Sequence, residues 1–164
     1  MDIFWEELTS GLPDMRQLVH VLIKLTAATL LGAVVGFQRE RAGKPAGLRT
    51  HMLVTLGTAV FVLACSAVGM GADPLSRVIQ GIVTGIGFIG AGSILKLDRE
   101  RDIQGLTTAA GVWMTAAVGV AVGLGSLGVA LLSTIFTLII LSFAKRFERR
   151  IDENRAADVE AKNN

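Results

Sequence analysis

Few side chains in this sequence could do chemistry, and they are widely spaced. Lys24 is the one Asp, Glu, Lys or Arg inside any long apolar stretch, and His20 precedes it by one helical turn. An ionisable group in such surroundings either anchors at an interface, its stem snorkelling outward, or lines a polar vestibule. His51 is the second histidine, and Cys65 is the one cysteine, which excludes an intrachain disulfide and a cysteine metal cluster. The carboxylates near the apolar stretches are Asp73 on one side and Glu40, Asp98, Glu100 and Asp102 on the other. Mg2+ takes oxygen ligands, usually carboxylates, and none lies within an apolar stretch. Gly85, Gly87 and Gly90 form a literal G-x-G-x-x-G. A dinucleotide site would need a preceding strand in a βαβ unit and an acidic residue about 20 residues on, whereas these glycines lie inside an apolar stretch of 18 residues. No nucleophile–base arrangement, phosphate loop or HExxH appears either. The sequence reads as non-enzymatic, with no catalytic residue, cofactor or metal centre.

These residues are carried by five apolar stretches, 18–37, 52–69, 78–95, 106–122 and 127–143. The composition agrees: 51% of the 164 residues are hydrophobic, 18% are charged, and mean hydropathy is +0.56. That excludes disorder, and a net charge of +2 gives no sign of a nucleic-acid partner. A spanning helix needs roughly 17–25 apolar residues, and backbone groups in lipid must bond internally. The stretches lack the polar face that helices of a soluble protein carry. Residues 106–143 would overshoot the bilayer as one helix, and Gly123–Gly128 supplies a turn, so two spans are predicted there. The expected fold is all-α, a polytopic bundle of five transmembrane helices in a lipid bilayer.

Charge placement predicts the orientation. Segments 38–51, 96–105 and 144–164 hold 13 of the 16 Lys and Arg residues. Lys and Arg concentrate on the cytoplasmic side, so five spans with the N-terminus out and the C-terminus in are self-consistent. Residues 1–17 open with acids and are not a secretory signal; they are expected as an outer interfacial segment. The membrane domain is 18–143, and 144–164 is a charged cytoplasmic tail.

Burial of apolar surface does not drive helix association in lipid, whereas small residues let backbones approach. Gly32 and Gly36 in the first span, Gly81, Gly85, Gly87, Gly90 and Gly92 in the third, and Gly111 and Gly119 in the fourth are the candidate packing positions. The glycine-dense run 85–92 could instead unwind, as broken transporter helices do. The bulkier fifth span is expected to face lipid or a second subunit.

Two loops complete the picture. Asp73 and Arg77 flank Pro74, one helical turn apart, and read either as a paired cap or as an outer site. The basic loop 38–51 reads as an orientation signal or a docking segment. Together the motifs GFQRERAGKPAGLRTHMLV (36–54), Asp73 and Arg77 leading into GIVTGIGFIGAGSI (81–94), and GLTTAAGVWMTAAVGVAVGLG (105–125) resemble the membrane domain of the MgtC/SapB family over roughly residues 20–143.

The resemblance implies a bacterial inner-membrane protein of a virulence-associated family. Members are tied to magnesium homeostasis and growth at low Mg2+, and many are labelled magnesium transporters. Matched residue by residue, it points to Arg39, Glu40, Arg49, Thr50, Asp73, Arg77, Gly90, Gly92, Gly105, Thr107 and Thr108. Longer members carry a soluble C-terminal domain beyond the region matched here. Two functions are therefore expected as alternatives. One is a non-enzymatic membrane protein that acts in Mg2+ homeostasis by binding other membrane proteins or a second copy of itself. The other is a Mg2+ or other cation transporter or channel using a broken third helix.

Overall fold

The computed structural model describes residues 14–96 and 103–143. Helix α1 spans Met15–Arg41, α2 Leu48–Ala67, α3 Ala72–Gly92 and α4 Leu106–Gly123. Helix α5 spans Leu127–Phe143. Strands β1 (Leu95–Lys96) and β2 (Ile103–Gln104) form a two-residue antiparallel ladder, and the fold is otherwise all-α. The expected interfacial segment before Asp14 and the charged tail 144–164 lie outside the described residues. Helices α1 to α4 are each long and apolar enough to cross a membrane. The 17 residues of α5 are apolar too and reach about 25 Å at helical rise.

Local chemistry sets where the helices stop. Asp14 caps α1, its Oδ1 accepting the Gln17 N–H at 2.7 Å. The other end of α1 closes in a Schellman turn: Gly43 N–H donates to Glu40 O at 3.0 Å and Lys44 N–H to Arg39 O at 3.2 Å. Gly43 has φ +67°, which a glycine adopts without steric cost. Helices α2 and α4 end in the same turn, built on Gly69 and Gly125. Three of the four helix-to-helix connections are thereby short, and consecutive helices run antiparallel.

Packing centres on α2 and α4. Half of the span in α4 is buried, against 11% in α3. A Cβ on Gly32 would collide with the Thr55 side chain, and one on Gly36 would lie 2.7 Å from the Leu48 Cα. Further along α2, a Cβ on Gly119 would collide with the Thr58 side chain, and one on Gly123 would lie 2.7 Å from the Val62 Cβ. The backbones of α1 and α4 thus both press on α2, and Ala28, Ala59, Val118, Val122 and Ala130 of α5 close one core cluster. The outside is apolar: Phe88 is 85% exposed, and Leu30, Phe61, Phe136 and Ile140 are exposed as well. A soluble monomer rarely shows so much contiguous apolar surface, whereas a lipid-facing one does.

The third helix differs from two expectations. It runs unbroken through residues 85–92, because glycine permits a break without forcing one and no proline interrupts the run. At Gly81, Gly85, Gly87 and Gly92, moreover, a Cβ would meet no other atom within 4 Å among the described residues, so none of these brings another described helix close. Gly90 alone of this set approaches another helix, its Cβ position lying 3.6 Å from the Ala109 Cβ. The reason is that α3 sits at the edge of the bundle and turns only Ile86 and Gly90 inward.

Candidate functional site

The polar residues converge where α1 ends and α2 and α4 begin. Arg39 stands near the end of α1 and is 3% exposed. Its Nη2 donates to Thr108 Oγ1 at 2.8 Å, tying α1 to the first turn of α4 across 69 residues. One residue on, Glu40 turns away from that contact. Its Oε2 accepts the Leu48 N–H at 2.8 Å and so caps α2, whose own N-cap residue Gly47 has no side chain to do it. A carboxylate at a helix N-terminus also meets the positive end of the helix dipole.

Deeper in, His51 is fully buried, and its Nδ1 lies 2.7 Å from Thr115 Oγ1. Gly111 leaves room for the ring, whose Cε1 would stand 3.8 Å from a Cβ there. Thr55 and Thr58 continue the line along α2, and each hydroxyl donates to a carbonyl one turn back, at 2.8 Å for Thr55 and 2.9 Å for Thr58. Hydroxyls satisfied this way can sit in an apolar bundle without desolvation cost. The buried stripe of α2 is therefore His51, Thr55, Thr58, Val62 and Cys65, spaced four, three, four and three. Composition and motifs alone give His51 no role and leave this stripe unremarked. The signal that could find it is the 4-3-4-3 spacing of polar and small residues.

Above Arg39 lies a cavity of about 510 Å³. Arg39, Lys44, Ser93, Gln104, Thr107 and Thr108 line it, with Gly105 at its floor. Gly105 adopts φ +97°, and a Cβ there would collide with the Ser93 carbonyl oxygen. Only glycine lets the α3–α4 connection pass so close to the end of α3.

The remaining sequence candidates fall elsewhere. Arg49 is exposed and Thr50 half-buried at the first turn of α2, outside the cavity. Asp73 and Arg77 lie at the opposite end of the bundle, at the start of α3. They form no ion pair with each other, which corrects the expected pairing. Asp73 instead occupies the first turn of α3, where a carboxylate favours the helix dipole, and its carbonyl accepts Ser76 Oγ at 2.7 Å. Lys24 is at that same end. Its Nζ donates to Gly123 O at 3.1 Å and so binds the C-terminus of α4 rather than lining a vestibule. Among the described residues no group of three or more His, Cys, Asp or Glu is placed to hold a metal ion.

Comparison with known proteins gives the setting for this geometry. The chain matches the MgtC family over residues 25–150. Protein SrpB of Synechococcus elongatus is 44% identical over 137 residues, 77% of this chain and 75% of that protein. YhiD of Escherichia coli, described as a putative magnesium transporter, is 41% identical over 128 residues, 73% of this chain and 58% of that protein. Protein MgtC of Brucella abortus is 42% identical over 125 residues, 76% of this chain and 51% of that protein. The chain thus spans about half to three quarters of the length of these relatives. No solved structure matches it.

Proposed function

This chain belongs to the MgtC family, and on that premise we propose that it is a multi-pass protein of the bacterial inner membrane that serves Mg2+ handling. In this reading it is non-enzymatic and works through contacts with other membrane proteins or with a second copy of itself, without conducting the ion. The link to Mg2+ comes from the relatives, one of which is described as a putative magnesium transporter.

The observation that carries the non-conducting reading is the charge inside the bundle. The polar route from the loop end runs past Arg39, a guanidinium that stays protonated at any physiological pH, and on to His51 and hydroxyls. Mg2+ dehydrates reluctantly and asks for carboxylates. Among the described residues, Glu40 stands next to Arg39 in the chain and is engaged in capping α2. A transporter built on a broken third helix has no support, since α3 is continuous. The open glycine face of α3 supports the contact role, because small residues let a neighbouring helix approach closely.

The test is flux. Purified protein in liposomes loaded with a Mg2+-sensitive dye should admit Mg2+ no faster than protein-free vesicles. A protein-dependent, saturable signal would overturn the non-conducting reading and leave the family assignment untouched.

A further inference from the structure

Helix α3 is polar on the face it turns away from the bundle. Its bundle-facing line is Leu75, Ile79, Ile82, Ile86 and Gly90, the first three half-buried and the last two buried. On the opposite line stand Asp73, Arg77, Gln80, Thr84 and Phe88, spaced four, three, four and four, and all five are exposed. In a soluble protein such a face would meet water. In a bilayer it does not: Gln80 stands about 12 Å from the start of α3 at helical rise, inside a hydrocarbon core roughly 30 Å thick.

The Thr84 hydroxyl is satisfied, donating to Gln80 O at 2.9 Å. The Gln80 side-chain amide bonds nothing among the described residues, and lipid tails offer it no partner. Nearer the end of the helix, Asp73 and Arg77 lie on the same line, exposed, with no ion pair between them. Whatever covers this face must therefore supply an amide-compatible group at the depth of Gln80 and both signs of charge one to two turns nearer the surface.

The face itself meets that description. An amide carries donors and an acceptor, so it bonds its own kind. Two copies inserted in the same direction are related by a two-fold axis along the membrane normal, and each residue of α3 then faces its own copy at equal depth. Gln80 meets Gln80, and Asp73 of each copy stands one turn from Arg77 of the other, within reach of the long arginine stem. Gly81 and Gly85 flank the line without side chains to hold the two backbones apart.

We propose that the outward face of α3 is the contact surface between two copies of this chain, joined by the Gln80 amides and by crossed Asp73–Arg77 pairs. This names the partner in the contact role proposed above and rests on that reading.

The experiment uses the full chain in phosphatidylcholine vesicles, labelled with donor or acceptor dye on a cysteine in place of Asn163. Energy transfer should fall along a monomer–dimer curve as lipid is added. Gln80→Leu should weaken association about tenfold, as loss of an interhelical hydrogen bond does. Asp73→Arg gives a face with two bases and Arg77→Asp a face with two acids. Each should self-associate about tenfold more weakly than the parent, and the two mixed should pair within about threefold of it. These positions are exposed, so the protomer keeps its fold, which melting in detergent checks. Leu132→Ala, on the exposed side of α5, should change association less than twofold. Absence of energy transfer at every dilution overturns the second copy. A dimer indifferent to Gln80→Leu and to the charge variants, or equally weakened by Leu132→Ala, overturns the α3 surface. A photo-cross-linker in place of Thr84 in cells separates this from the broader role. A product of two chains supports the pairing. A product with a different membrane protein alone overturns the pairing and leaves the contact role standing, whereas no product removes α3 from that role as well.

Discussion

Lys24 and Arg39 show how a bundle with so few charges uses them. Both stand on α1, and both reach to α4, one to its last carbonyl and the other to its first turn. The Lys24 ammonium meets the negative end of the α4 dipole and satisfies a carbonyl that would otherwise face the Gly125 turn. Removing it should therefore act on stability and not on a transport step. Lys24→Met keeps the stem and deletes the donor, and a hydrogen bond to a charged group is worth about 1.5–3 kcal/mol. The expected result is a lower melting temperature in detergent, with Lys24→Arg retaining most of the stability. A Met variant as stable as the parent would show the bond to be idle. Both side chains stand out in the sequence, but nothing there pairs them with partners 99 and 69 residues away, because neither contact is periodic.

At the scale of helices, the glycines divide by what lies opposite them. Those of α1 and α4 meet α2, whereas those of α3, Gly90 excepted, meet open space. The same motif in sequence thus has two consequences. Gly119→Leu should cost about 3 kcal/mol or more, because the side chain would overlap Thr58 and the Thr55 backbone. Gly85→Leu should change detergent stability by no more than about 0.5 kcal/mol, as at other open positions. Thermal unfolding of the two purified variants checks this, and equal losses would mean that α3 packs as tightly as α4. The helices themselves are legible in the sequence, since apolar length announces a span and Gly123–Gly128 announces the turn between α4 and α5. Which face of each helix turns inward is not. Along α2 the apolar residues lie on all sides, and the buried face is marked by His51 and two threonines instead. In lipid, hydrophobicity no longer separates inside from outside, so the signal that orients a soluble helix is missing. The cavity is legible only in part: Arg39, Thr107 and Thr108 come from the family resemblance, while Lys44, Ser93 and Gln104 join them through the turn at Gly43 and the β1–β2 ladder.

For the whole molecule the open quantity is its orientation. Helix α5 returns antiparallel to α4 after a three-residue turn and packs Ala130 into the cluster that also holds Ala28 and Ala59. If a helix so placed crosses the membrane as the four longer ones can, the start of α1 and the end of α5 stand on opposite sides. The end of the bundle that carries Arg39, Arg41, Lys44 and Arg49 holds more basic residues than the end that carries Arg16, Lys24 and Arg77. Basic short loops are retained in the cytoplasm, so the end with the cavity beside Arg39 should face inward. A fluorescent reporter that matures only in the cytoplasm should therefore be bright when fused after Asn163. A cysteine introduced at Gly71, between α2 and α3, should react with an impermeant maleimide from outside intact cells, whereas one at Lys44 should react only after permeabilisation. Buried Cys65 serves as the internal control, since it should react in neither case. A dark C-terminal fusion together with Lys44→Cys labelled from outside would invert the whole assembly. It would also place the cavity beside Arg39 outside, and Asp73 where it meets the cytoplasm.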